Sequence, residues 1–214
     1  MGFFKSEFTE QDPPKPVFGN YVVEKETHLR LREKLLSLSG DSFAVTDEDG
    51  EVYFNVQGVV LDMRETIMLQ DRDGNEIIKL QKNAFSFLRD TWSFYNPDGD
   101  LVVEVKKDLR PRIQPMLNVY IASEEGKIAY NVRGLFSMVQ KQYAIYLGHL
   151  NRKKCAEVTK QINWRQELVS EDADMYGVKI SKGVDASLVV ALAIVLDELY
   201  AEHEDKAGSS DDED

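Results

Sequence analysis

Gly183-Val-Asp-Ala-Ser-Leu-Val-Val-Ala-Leu-Ala-Ile-Val-Leu-Asp-Glu-Leu-Tyr200 is the stretch whose reading decides the fold. Between Ala186 and Leu196 only Ser187 is polar, so a helix here offers water no stripe on any face and must be surrounded by protein or lipid. Length separates the two. Eleven residues at ~1.5 Å each span about 16 Å, roughly half of a ~30 Å hydrocarbon core, and Asp197-Glu198 closes the run. The spacing therefore predicts a buried core helix over about 184–203. Its large aliphatic side chains, at ~1.5 to 3 kcal/mol each, would contribute on the order of 10 to 20 kcal/mol gross, before ordering entropy is subtracted. Asp185, with Gly183 just upstream, is the expected structural cap, accepting backbone N–H bonds from Ser187 or Leu188 and worth ~1 kcal/mol.

What would surround such a helix is written upstream. Asp47-Glu-Asp-Gly50, Asp71-Arg-Asp-Gly74, Asn96-Pro-Asp-Gly99 and Ser123-Glu-Glu-Gly126 recur with glycine spacings of 24, 25 and 27 residues, each between short stretches rich in Val, Ile, Phe and Tyr. The unit reads as a β-hairpin, with glycine at the position that needs φ > 0 and an acidic or amide side chain bonding the turn backbone. A fifth unit, Tyr143 to Ile162, puts Asn151-Arg152-Lys153 at its turn. A propeller blade needs about four strands in about 40 residues, and a solenoid would not need so different a final segment. Consecutive hairpins whose edges must be paired read instead as an antiparallel meander curled into a barrel around the helix.

Composition sets bounds on the rest. The 214 residues are 43% hydrophobic, enough for a core without metal or disulfide support, and the single cysteine, Cys155, has no intramolecular partner. That cysteine usage, with a charged N-terminal stretch in place of an apolar leader, predicts a cytoplasmic protein, with nuclear or peripherally membrane-associated placement as the alternatives. A net charge of -12 argues against general nucleic-acid binding. From Ala201 onward seven carboxylates face Lys206 alone, so half of that charge is terminal. Residues 1–16, with Pro13, Pro14 and Pro16, read as a flexible segment, 17–203 as the domain and 204–214 as a disordered acidic tail. Ser209 and Ser210, ahead of Asp211 to Asp214, fit an acidophilic kinase and are the expected phosphorylation sites.

Leu38-Ser-Gly-Asp-Ser-Phe-Ala-Val-Thr-Asp-Glu-Asp-Gly50 followed by Val52-Tyr-Phe-Asn-Val56, the Leu61-Asp-Met-Arg64 stretch, and above all Gly183-Val-Asp-Ala-Ser-Leu-Val-Val-Ala-Leu with Leu196-Asp-Glu198 resemble the LURP-one-related family. That family shares the tubby C-terminal-like fold with tubby proteins and phospholipid scramblases. The resemblance covers most of the chain and implies a mainly β fold, a closed antiparallel barrel of about twelve strands enclosing a hydrophobic C-terminal α-helix. It implies a fold more than an activity. Nothing here aligns with the phosphoinositide site of tubby proteins or with the calcium and palmitoylation motifs of scramblases, so those activities are analogies of fold.

Candidate chemistry is sparse. Cys155, His28, His149 and His203 are the supply for nucleophilic catalysis, and no serine sits in a G-x-S-x-G elbow. The Asp-x-Asp-Gly turns lack the spacing and the bidentate glutamate of an EF-hand, and no Walker A, G-x-G-x-x-G or zinc spacing occurs. No catalytic residues, metal or cofactor are therefore expected. Positive charge is the feature to pursue. Lys106, Lys107, Arg110 and Arg112, with Arg152, Lys153 and Lys154 at the fifth turn, are expected to converge on one rim and hold phosphate head groups. The reading is a non-enzymatic binding or adaptor protein, attaching peripherally to anionic phospholipid or phosphoinositide. Its alternatives are a docking module for a protein partner and a small-ligand carrier or enzyme of unrecognised type.

Overall fold

The computed structural model describes residues 8–32, 42–61, 64–83, 91–108, 116–135, 141–149, 153–160 and 175–208. The strands in chain order are β1 Thr27–Arg32, β2 Ser42–Asp47, β3 Val52–Leu61, β4 Arg64–Asp71, β5 Glu76–Lys82, β6 Thr91–Tyr95, β7 Leu101–Lys107, β8 Met116–Ile121, β9 Ile128–Leu135, β10 Lys141–Leu147, β11 Lys154–Lys160 and β12 Met175–Ile180; the helix α1, Ala186–Gly208, follows. Each strand pairs antiparallel with its neighbour in sequence, and β1 closes the ring by pairing β12 from Thr27 opposite Ile180 to Arg32 opposite Met175. Closure leaves no edge strand among these twelve to template association.

Period-two alternation explains the strands. Phe54 and Val56, Ile67 and Leu69, Ile78 and Leu80, Trp92 and Phe94, Val103 and Val105, Tyr130 and Val132 all belong to one buried cluster that also contains the helix residues Ala186 and Leu188–Leu196. The barrel interior is thus a packed core. Ser187 and every residue of Leu188–Leu196 are at most 4% exposed. Tyr176, near the start of β12, donates its hydroxyl to Asp197 Oδ1 at 2.6 Å, so the helix has crossed the barrel by that point.

The recurring acidic turns all fall at one end. Gly50, Gly74 and Gly99 have φ of 86°, 86° and 88°, which only glycine adopts freely, and a register shift sits beside each turn, as between Val45 and Thr46 and between Leu69 and Gln70. Asp71 Oδ1 accepts from Asp73 N at 2.9 Å and Asn75 N at 2.8 Å, and Asp47 Oδ1 repeats the pattern with Asp49 and Glu51, each at 3.0 Å. The carboxyl of Asp71 is held below its ordinary range chiefly by the Asn75 side-chain amide.

Two boundaries differ from expectation. The helix begins at Ala186 and runs to Gly208, so residues 204–208, assigned by charge to a disordered tail, are helical, and 209–214 lie outside the described residues. Residues 8–16, expected to be flexible, are a strap laid across the turn end. Thr9 N donates to Lys154 O at 2.7 Å, Gln11 N to Lys182 O at 2.9 Å and Lys15 N to Gly183 O at 3.2 Å. Prolines suit this path because they carry no N–H to satisfy, while Thr9, Gln11 and Lys15 around them donate to carbonyls of the barrel end. The strap continues to Val23, whose N–H donates to Val184 O at 3.0 Å and whose carbonyl accepts from Gly183 N at 2.8 Å.

Candidate functional site

Asp185 joins strap to helix. It is fully buried. Its Oδ1 accepts from Ser187 N at 3.0 Å, Ser187 Oγ at 2.6 Å and Leu188 N at 3.4 Å, the contacts expected of a cap. Its Oδ2 accepts from Val17 N at 2.7 Å and Phe18 N at 2.9 Å. The second set ties a segment 168 positions away to the first turn of the core helix, a role no local reading of the sequence contains. A Cβ on Gly183, which has φ +85°, would overlap the carbonyl of Gln11, so the glycine is where strap and helix entry touch.

Cys155 is buried, and its Sγ lies 3.5 Å from Ile145 O. Burial pushes the thiol up to about 12, which leaves almost no thiolate at neutral pH and makes the sulfur a poor nucleophile. We expect Cys155 in the native protein at pH 8 to react with a thiol reagent such as Ellman's reagent at least about a hundredfold more slowly than in denaturant. Equal rates would overturn the buried placement. His28 stands elsewhere, its ring nitrogens 2.8 Å from Glu48 Oε1 and 3.3 Å from Glu26 Oε1. His149 is exposed beyond β10.

The basic residues that the structure describes do not converge. Each strand crosses the barrel once, so the end of β7, carrying Lys106 and Lys107, opens opposite to the β10–β11 turn, where Lys153 and Lys154 stand. Lys106, Asn118, Asn131, Tyr146 and Lys154 are successive partners across β7 to β11, which puts four spacings of ~4.8 Å, about 19 Å of wall, between the two lysines. For the described lysines the expected single basic rim is therefore corrected to two separate groups, Lys106 with Lys107 and Lys153 with Lys154. Lys154 is buried, paired with Glu157, and sits 4.3 Å from the ring of Phe8, which Lys179 also approaches at 4.7 Å. Its charge holds the strap. Lys106 pairs with Glu104 at 2.8 Å and lies over Tyr120 at 5.2 Å. Lys153 is exposed. Arg110, Arg112, Arg152, Ser209 and Ser210 lie outside the described residues.

Two features escaped the sequence reading. On the wall, Lys79 lies over Tyr95 at 5.2 Å, Lys106 over Tyr120 at 5.2 Å and Arg133 over Tyr146 at 4.6 Å, each cation on an odd strand and each tyrosine on the next. The cations recur every 27 residues, the signal that could have revealed them had cation–tyrosine pairs been sought at the period of the turns. At the turn end, a cleft of about 580 Å³ opens between residues Val22–His28 and Asp47–Asp49, with Tyr53 in its lining. Lys179, 3.0 Å from Glu26, holds that carboxyl below its ordinary value by hydrogen bonding, with His28 adding to the effect.

No helix among the described residues is long and apolar enough to cross a membrane. Comparison with known proteins agrees with the barrel. A crystal structure of an Arabidopsis thaliana protein superposes with a TM-score of 0.59 at 19% identity, covering 84% of this chain and 94% of that one. Protein LURP-one-related 10 of Arabidopsis thaliana is 25% identical over 87% of this chain and 96% of its own length, and Protein LURP-one-related 15 is 22% identical over 88% and 90%. The LURP-one-related family model matches residues 27–197, from the first residue of β1 to the hydroxyl-bonded Asp197 of α1, and the chain belongs to that family.

Proposed function

We propose that this protein is a non-catalytic binding module that engages its partner from the outside of a filled barrel. The packing of Ala186–Leu196 through the lumen carries the reading, because a carrier or an enzyme working inside the barrel needs an interior cavity that this helix occupies. The protonated, buried Cys155 supports it by removing the chain's one thiol from nucleophilic work.

The most concrete version is attachment to anionic phospholipid at the β7 end, through Lys106 and Lys107. Each lysine or arginine near an anionic leaflet contributes ~1 kcal/mol, so a peripheral, salt-sensitive attachment is what such an end supports. Sedimentation with phosphatidylserine-containing vesicles tests it. Lys106→Glu with Lys107→Glu should weaken binding by at least about tenfold, while Lys153→Glu, at the other end, should leave it within about twofold; neutral phosphatidylcholine vesicles should not be bound. Binding that is absent at low salt, or that survives the double reversal, would replace the lipid by a protein partner.

A further inference from the structure

We propose that the cleft between the strap and the β2–β3 turn docks a basic protein segment, one that presents an arginine beside an apolar side chain. The inference rests on the reading of the chain as a binding module and not on the lipid, since the cleft lies at the end away from Lys107.

The shape comes first. At about 580 Å³ the cleft falls within the ~300–1,000 Å³ of ordinary ligand clefts, room for a few side chains. One wall is Val22–His28, the end of the strap running into the start of β1, fixed to the helix entry by the Val22–Asp185 bridge and by both backbone bonds of Val23. The other is the turn at Asp47–Asp49, closed on its own backbone by Asp47. Both walls exist before a partner arrives, which lowers the ordering cost of binding.

The chemistry of the lining then selects the occupant. Val22, Val23 and Tyr53 supply apolar surface, and Tyr53 is held edge-on to Phe54 at 5.0 Å and 71°. Around them stand Glu24, Glu26, Asp47, Glu48 and Asp49 against Lys25 and His28. Three of these carboxylates are already engaged, Glu26 by Lys179, Glu48 by His28 and Asp47 by its turn. Among the described residues Glu24 and Asp49, one from each wall, have no side-chain partner. A guanidinium suits that arrangement better than an ammonium, because its planar fork can address two carboxylates while its face lies on an aromatic ring. An anionic lipid surface would be repelled here, and a hard divalent cation would need several oxygens converging on one point, whereas no such group occurs among the described residues.

The test uses the full chain and a fluorescein-labelled short peptide of alternating arginine and leucine, read by anisotropy at low salt. Glu24→Gln with Asp49→Asn should weaken binding by about tenfold or more. Asp98→Asn with Glu125→Gln removes the same charge from exposed turns at the same end, outside the cleft, and should weaken it by less than about twofold. Equal weakening in the two pairs would reduce the effect to general attraction and overturn the proposal. So would the absence of peptide binding, or displacement of the peptide by equimolar spermine, which would make the site one for small polycations. Vesicle binding measured on the same Glu24/Asp49 variant should be unchanged, so loss of the lipid reading and loss of this one are separable.

Discussion

Asp185→Ala is expected to lower stability by about 3 to 5 kcal/mol, well beyond the ~1 kcal/mol of an ordinary helix cap. The difference follows from the second oxygen. The substitution removes the acceptor for Ser187 N, Ser187 Oγ and Leu188 N, and also for Val17 N and Phe18 N, with Phe18 and the helix start inside the core. Each buried donor left without a partner costs about 1 to 3 kcal/mol, relieved in part if the strap swings into water. At ~2–4 °C per kcal/mol for a domain of this size, the melting temperature should fall by about 10 °C. Asp185→Asn separates the two roles, because its single amide oxygen can serve the cap or the strap but not both. It should show a smaller loss, together with faster proteolysis within residues 8–21. A cost near 1 kcal/mol for the alanine variant, with no change in proteolysis, would show that the strap does not depend on this carboxylate.

Truncation before Val184 should abolish folding altogether. The gross contribution of Leu188, Val189, Val190, Leu192, Ile194, Val195 and Leu196 is on the order of 10 to 20 kcal/mol, against a net stability of about 5–15 kcal/mol for a typical domain. The barrel residues facing the helix would lose their partners as well, because Tyr130, Phe94, Leu80 and Val178 belong to the same cluster. Leu192→Ala provides the graded counterpart and should cost about 2 to 5 kcal/mol with the fold retained. The measurement is circular dichroism and size exclusion on both variants. A monomeric, cooperatively unfolding chain that lacks residues 184–214 would mean that the strands close without the helix, and the account of the core would be wrong.

The lipid and peptide experiments ask what binds; these two ask what holds the binding surfaces in place. They are connected through the strap. It forms one wall of the acidic cleft, and it is fastened by Asp185, by Phe8 between Lys154 and Lys179, and by Lys15 to Glu124. A variant that frees the strap should therefore disturb the cleft before it disturbs the β7 end.

By itself the sequence determined the elements and their closure. An all-apolar run too short for a bilayer demands an enclosing wall, and evenly spaced acidic glycine turns supply hairpins to build it, because burial and φ > 0 are local requirements written in residue type. The cap at Asp185 was legible for the same reason. Only the tertiary structure decided what long-range pairing controls. Which end each turn occupies depends on counting strand crossings, so the basic groups at Lys106–Lys107 and Lys153–Lys154, close in the imagination of a sequence reader, are parted by the wall. The strap looks like a linker in sequence because its hydrogen-bond partners, Lys154, Lys182 and Gly183, lie more than a hundred residues away, and a proline-rich segment has no periodicity of its own to betray them. The acidic cleft was hidden similarly: its carboxylates look like solvated turn residues until β1 pairs with β2, Leu29 opposite Asp47, and brings residues 22–28 up against the β2–β3 turn.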